Sequence, residues 1–246
     1  AAFVAQFVAV GVYSYVLGAF MNPMLEELSW ARSDFSLTRS ISQIVMAFVG
    51  ILIGAKVDHI GARRIMLVGT TILVVSLCAH TFVTSLWMWW ALNGIVVTIG
   101  CAMVGNLVVN ATLSKWFFEK RGRAVAIAAM GVSFGGIAIT PPITYLIDLL
   151  GWRLSWVLLG LSAGILLYPV AMMMRKAPED FGLLPDGKKP NSEGSGSVDA
   201  AQSEFLNSYS RSEAIRTFSF YGLVLAFGCF AVNIVAVSYT HLTLPT

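Results

Sequence analysis

One short stretch concentrates side chains that could do chemistry: Gly54-Ala55-Lys56-Val57-Asp58-His59-Ile60-Gly61-Ala62-Arg63-Arg64. Gly54 leaves room for a second helix to approach closely. Asp58 follows one turn later on the same helix face, where its charge can meet an arginine or a helix N-terminus. Gly61 permits a tight reversal, and Arg63 and Arg64 add positive charge just beyond it. Chemistry of this kind suits a close, charge-assisted contact between helices. An ordinary basic hairpin is the alternative reading of the same residues. Polar side chains within otherwise apolar sequence form a second group: Tyr13, Gln43, Asn93, Asn106 and Asn110. Asn106 and Asn110 are four apart and share a face. Covalent chemistry has no foothold, since no Ser-His-Asp arrangement, phosphate-cradling glycine loop or pair of catalytic carboxylates is present. Cys78, Cys101 and Cys229 are dispersed, without the spacing of a metal site or disulfide framework. His59 and His80 lack a second ligand at metal spacing. The sequence therefore predicts no enzyme, no metal and no cofactor.

The elements that must position these residues are membrane helices. The chain has 246 residues, 57% hydrophobic and 12% charged, against about 25% charged in a soluble domain. That composition excludes a soluble globular enzyme, a disordered chain and a nucleic-acid binder. Charge-free runs cover Ala1–Leu25, Ser40–Ala55, Ile65–Ser114, Ala124–Ile147, Leu154–Met174 and Thr217–Thr246. A helix crosses a hydrocarbon core of about 30 Å with about 20 residues. Ile65–Ser114 is long enough for two crossings, joined near His80 to Ser85. Seven spans result, near 1–23, 39–57, 64–83, 86–113, 123–148, 153–174 and 218–237. The second run is short, so Arg39 and Lys56 are expected to snorkel from its ends.

Basic residues orient the spans. Lys56, Arg63 and Arg64 lie between spans two and three, and Lys115, Lys120, Arg121 and Arg123 between four and five. Arg175, Lys176, Lys188, Lys189, Arg211 and Arg216 follow span six, leaving Arg32, Arg39 and Arg153 on the other side. The positive-inside rule makes residues 56–64, 114–123 and 175–217 cytoplasmic. Trp30, Trp87, Trp89, Trp116 and Trp152 fall near span ends, where an aromatic belt would sit. Span five carries Gly131 and Gly135, a small-xxx-small face for close crossing. Pro141 and Pro142 then free backbone carbonyls and permit a bend. No Lys, Arg, Asp or Glu falls mid-span, so no proton-relay carboxylate is visible.

The string from Gly54 to Arg64 resembles the signature loop of the major facilitator superfamily, Gly-x-x-x-Asp-Arg/Lys-x-Gly-x-Arg-Arg/Lys. It matches at Gly54, Asp58, Gly61, Arg63 and Arg64, and departs at Lys56 and His59. Three more stretches resemble the bacterial monocarboxylate-transporter-like branch, which includes oxalate/formate-type antiporters. They are Glu26-Glu27-Leu28-Ser29-Trp30-Ala31-Arg32; Trp116 to Ala124 leading into Gly131-Val132-Ser133-Phe134-Gly135-Gly136, Pro141-Pro142 and Gly151-Trp152-Arg153; and Pro178 to Gly187.

The resemblance implies an all-α polytopic fold: the N-terminal six-helix half of a transporter (1–174), a cytoplasmic linker (175–217) and the start of a seventh helix (218–237). Residues 238–246 break the style of the chain and resemble a non-native tail, so His241 is assigned no role. It further implies a cytoplasmic gate at the signature loop and a cavity lined by spans one and four, which singles out Tyr13, Asn106 and Asn110. The expected function is alternating-access transport of a small organic anion such as a monocarboxylate, in the plasma membrane. The partners are the lipid bilayer and a C-terminal half absent from this sequence. A drug/proton antiporter of the same superfamily, a non-transporting membrane sensor and a channel are the alternatives. Because this half supplies only neutral hydrogen-bonders at mid-span, a carboxylate substrate is expected to need a cation from beyond residue 237.

Overall fold

A backbone in hydrocarbon has no water to bond, so each long apolar run closes its hydrogen bonds internally as a helix. The computed structural model describes residues 1–175 and 211–229, without the side chains of Ala55, Asp58, Arg211, Ser212 and Ala214. Among the described residues every regular element is helical. Helix α1 covers Ala2–Leu28, α2 Arg32–Ile60, α3 Ala62–Ala79 and α4 Leu86–Trp116. Arg121–Met173 forms a 53-residue hydrogen-bonded stretch. Drawn straight it would be about 80 Å long. Gly151 divides it at φ 79° and ψ 163°, a conformation open to glycine and strained for other residues, giving α5 (121–150) and α6 (152–173). Gly61 makes the reversal between α2 and α3 at φ 87°. The chain divides into two compact units, Ala1–Glu193 and Gly194–Thr246. In the second, Arg211–Arg216 and the apolar Phe218–Cys229 are helical. Most of the linker, the rest of span seven and the tail around His241 lie outside the described residues.

Neighbouring helices are paired by glycines and aromatics. A β-carbon added at Gly131 would run into the Phe3 carbonyl oxygen, and one at Gly135 would lie 2.8 Å from that of Phe7. Helices α1 and α5 therefore run parallel at backbone contact. Helix α6 packs antiparallel on α3: Gly160 faces Leu77 and Cys78, Gly164 faces Val74, and the hydroxyls of Thr71 and Tyr168 hydrogen-bond at 3.0 Å. Helices α2 and α4 run side by side, with the Trp90 indole N–H donating to the Asp34 carbonyl at 2.9 Å. Between lipid tails there is little hydrophobic drive to bring helices together, so close packing of small residues supplies the attraction. The outward faces stay apolar, as at Phe48, Ile137 and Ile165.

One end of the bundle is closed by stacked rings. Phe20 stacks on Trp156 at 3.9 Å, Trp156 on His80 at 4.5 Å, and Phe35 on Trp89 at 4.6 Å. His80 also meets the Trp89 ring edge-on, and its Nδ1 lies 2.7 Å from the Ser76 carbonyl. This corrects the aromatic-belt expectation for two residues. Trp89 is buried among the rings of Phe35 and His80 with its N–H on the Phe35 carbonyl, and Trp152 is buried beneath Glu27 and Arg153, whereas Trp87 is 77% exposed.

Candidate functional site

The two helices expected to line a central path both depart from regular α geometry near their middles. In α1, Gly11–Tyr15 forms a π turn, with the Val16 N–H bonding the Gly11 carbonyl. In α4, Trp90–Val97 is π-helical, and the Thr98 hydroxyl donates to the Asn93 carbonyl at 3.2 Å. Gly105 then interrupts α4 at φ −82° and ψ −154°. Its N–H still reaches the Cys101 carbonyl at 2.8 Å. A β-carbon at Gly105 would sit 2.7 Å from that oxygen and 3.7 Å from the β-carbon of Ala9, so this break lies against α1. Irregular backbone at membrane depth is tolerated where it is covered by protein or lines a water-filled cavity, and π turns are frequent at functional sites.

The candidate path residues sit at these irregularities. Tyr13 lies within the π turn and is half-buried. Asn106 is the first residue after the break, and Asn110 follows one turn on; both are exposed. Ala9 stands beside Gly105, so Tyr13, one turn on from Ala9, and Asn106, next to Gly105, lie on either side of one α1–α4 approach, with Asn110 a turn further along α4. None hydrogen-bonds another among the described residues. Asn93 is buried, and Gln43 is exposed on α2.

Arg39 departs from the sequence expectation. It was to snorkel from the end of a short second span, yet α2 begins at Arg32 and carries Arg39 two turns inward. The side chain turns toward α1: its Nη1 donates to the Tyr13 carbonyl at 2.9 Å, and the guanidinium lies 4.3 Å from the centre of the Tyr13 ring. Cys101 of α4 is within electrostatic reach of the same charge. This half thus supplies a cation beside Tyr13. The sequence signal available was the absence of any helix breaker between Arg32 and Arg39, which let the helix begin a full two turns earlier.

The loop motif lies at the opposite end. Gly61 makes the turn, and Arg63 and Arg64 are exposed in the first turn of α3. Gly54 is exposed, and nothing lies within 4 Å of a β-carbon added there. No neighbouring helix among the described residues uses the room it leaves. Asp58 is helical, with its side chain outside the description. In α5 the backbone runs helically through Pro141 and Pro142, and the Thr140 hydroxyl bonds the Gly136 carbonyl at 2.8 Å just before them.

The family model of the Major Facilitator Superfamily matches residues 2–245. The chain belongs to that superfamily. It is 25% identical over 159 residues to an uncharacterized MFS-type transporter, YcxA, of Bacillus subtilis, covering 65% of this chain and 39% of that protein. It is similar to monocarboxylate transporter 6 of Mus musculus, 27% identical over 176 residues, 69% of this chain and 37% of the relative. Monocarboxylate transporter 7 of Homo sapiens is 25% identical over 181 residues, 70% of this chain and 34% of the relative. The chain thus spans between a third and two-fifths of the length of these relatives. As a superfamily member with several apolar helices long enough to cross a bilayer, it is a multi-pass membrane protein.

Proposed function

We propose that the protein is the N-terminal part of a secondary active transporter that carries a small organic anion, such as a monocarboxylate, across the plasma membrane by alternating access. The observation that carries this reading is the pair of mid-helix irregularities in α1 and α4, which lie beside the polar residues Tyr13 and Asn106. Broken helices near the midplane are where transporters of this kind bind substrate. The monocarboxylate transporters among the relatives favour a carboxylate as cargo. Residues 1–174 form one half, Tyr13, Asn106 and Asn110 contribute to its path, and a second half beyond this sequence completes it. Gly54, Asp58, Gly61, Arg63 and Arg64 form the cytoplasmic gate, where the open space beside Gly54 receives the partner half. No covalent step is needed, since the work is a change in which side of the site is open.

Counterflow of labelled short monocarboxylates into proteoliposomes holding the full-length gene product tests the reading. Saturable uptake stimulated by internal unlabelled substrate is the expected result. Flux without saturation would indicate a channel, and binding without flux a sensor. Uptake of lipophilic cations but not of carboxylates would favour the drug/proton antiporter.

A further inference from the structure

We propose that Arg39 is the residue of this half that holds the carboxylate of the transported anion, an inference that rests on the organic-anion reading above. The depth of the charge is the first reason. Arg39 is seven residues into α2, about 10 Å from the end of that helix at 1.5 Å per residue. Its guanidinium lies against Tyr13, near the middle of the 27-residue α1. A cation at such a depth is costly to keep and marks a functional position by default.

Its incomplete compensation is the second reason. The protein offers the charge one backbone carbonyl and the face of the Tyr13 ring. Among the described residues no Asp or Glu pairs with it. Guanidinium carries five N–H donors in a planar fork that matches a carboxylate in a bidentate arrangement. One is spent on the Tyr13 carbonyl, and that bond with the ring contact fixes the plane of the fork. A carboxylate is the group that would use the remaining donors and neutralise the charge.

Position is the third. The guanidinium meets α1 at its π turn, within electrostatic reach of Cys101 in α4, one turn before the break at Gly105. The fork thus comes from α2, the Tyr13 ring from the π turn of α1 and Asn106 from the break in α4.

The test uses the full-length protein in proteoliposomes, with a panel of short-chain monocarboxylates as substrates and their uncharged amides as competitors. Arg39→Gln should raise KM for the carboxylates about ten- to a hundredfold, the loss of a charge-assisted hydrogen-bonded contact. It should also narrow the gap between carboxylate and amide in competition. Arg39→Lys keeps the charge without the fork and should fall between the two. If Arg39→Gln fails to insert, Arg39→Lys carries the test through its own KM and competition ratio. An unchanged carboxylate KM in the variants would overturn the inference while leaving the anion reading intact. So would equal weakening of carboxylate and amide, since a helix staple has no charge preference. Wild-type protein that carries no carboxylate would overturn the functional reading itself, and this inference with it.

Discussion

The carboxylate of Glu27 accepts a 2.5 Å hydrogen bond from the indole N–H of Trp152. The two residues are 125 positions apart in the chain, at the end of α1 and the start of α6. Arg153 completes the contact by pairing with the same carboxylate and laying its guanidinium 4.2 Å over the Trp152 ring. Two of the stretches that carry the family resemblance, one after span one and one before span six, thus meet at a single carboxylate. The positive-φ turn at Gly151 is what brings them together, because it ends α5 and starts α6 beside the last turn of α1.

Glu27→Gln should weaken this clasp without dismantling it, because glutamine still offers an acceptor to Trp152 while losing the ion pair. Both charged side chains are partly exposed, so the expected loss is about 0.2–1 kcal/mol. Thermal unfolding in detergent, read as a double-mutant cycle with Arg153→Gln, measures the coupling directly. A coupling of zero would assign the contact no part in holding α1 to α6.

Two glycine substitutions should behave in opposite ways. Gly131→Ala places a methyl against the Phe3 carbonyl and should cost about 1–3 kcal/mol, as overpacking does. Gly54→Ala meets nothing within 4 Å and should leave the stability of the 246-residue chain unchanged or slightly raised. In the full-length protein it should nevertheless reduce transport, since the methyl would fill the space proposed for the partner half. Melting curves and uptake rates for both variants decide the matter.

Asp58→Asn should cut transport by the full-length protein while leaving insertion intact, because it removes one charge and no apolar surface. The expected coupling between the gate and the transport cycle is about 1–3 kcal/mol. Wild-type counterflow in this variant would reduce the motif to a hairpin that only orients the chain.

The topology prediction uses sites with free space. Gly122 is exposed, with nothing within 4 Å of an added β-carbon, and Thr84 is exposed at the opposite end of the bundle. In a background with Cys78 and Cys229 replaced by serine, cysteine in place of Gly122 should react only from the cytoplasmic side, and cysteine in place of Thr84 only from outside. Labelling with the sides exchanged would reverse the orientation derived from the basic loops.

That the chain folds as a series of long apolar helices was legible in the sequence alone, although α2 begins at Arg32, seven residues before the expected span. Charge-free runs such as Ile65–Ser114 have few other options in hydrocarbon, where each backbone group has to be bonded within its own helix. The reversal at Gly61 was marked by its glycine, and Gly151 falls between the expected spans five and six. The family string around Asp58 was equally plain, being a local pattern. The facing of each helix was not. Surfaces toward lipid and surfaces toward neighbouring helices are both apolar, so hydrophobic periodicity does not separate them as it does in water. That is why Trp89 and Trp152, read as belt residues, turn out to be buried, and why nothing in the sequence linked Glu27 to Trp152. Arg39 shows the same limit most sharply. Its position at the edge of a charge-free run suggested a side chain reaching out to the headgroups. Only the tertiary structure, which sets the Arg39 side chain across from the π turn of α1, decided that it reaches inward to Tyr13, because a ring face and a backbone carbonyl there offer the charge what the lipid does not.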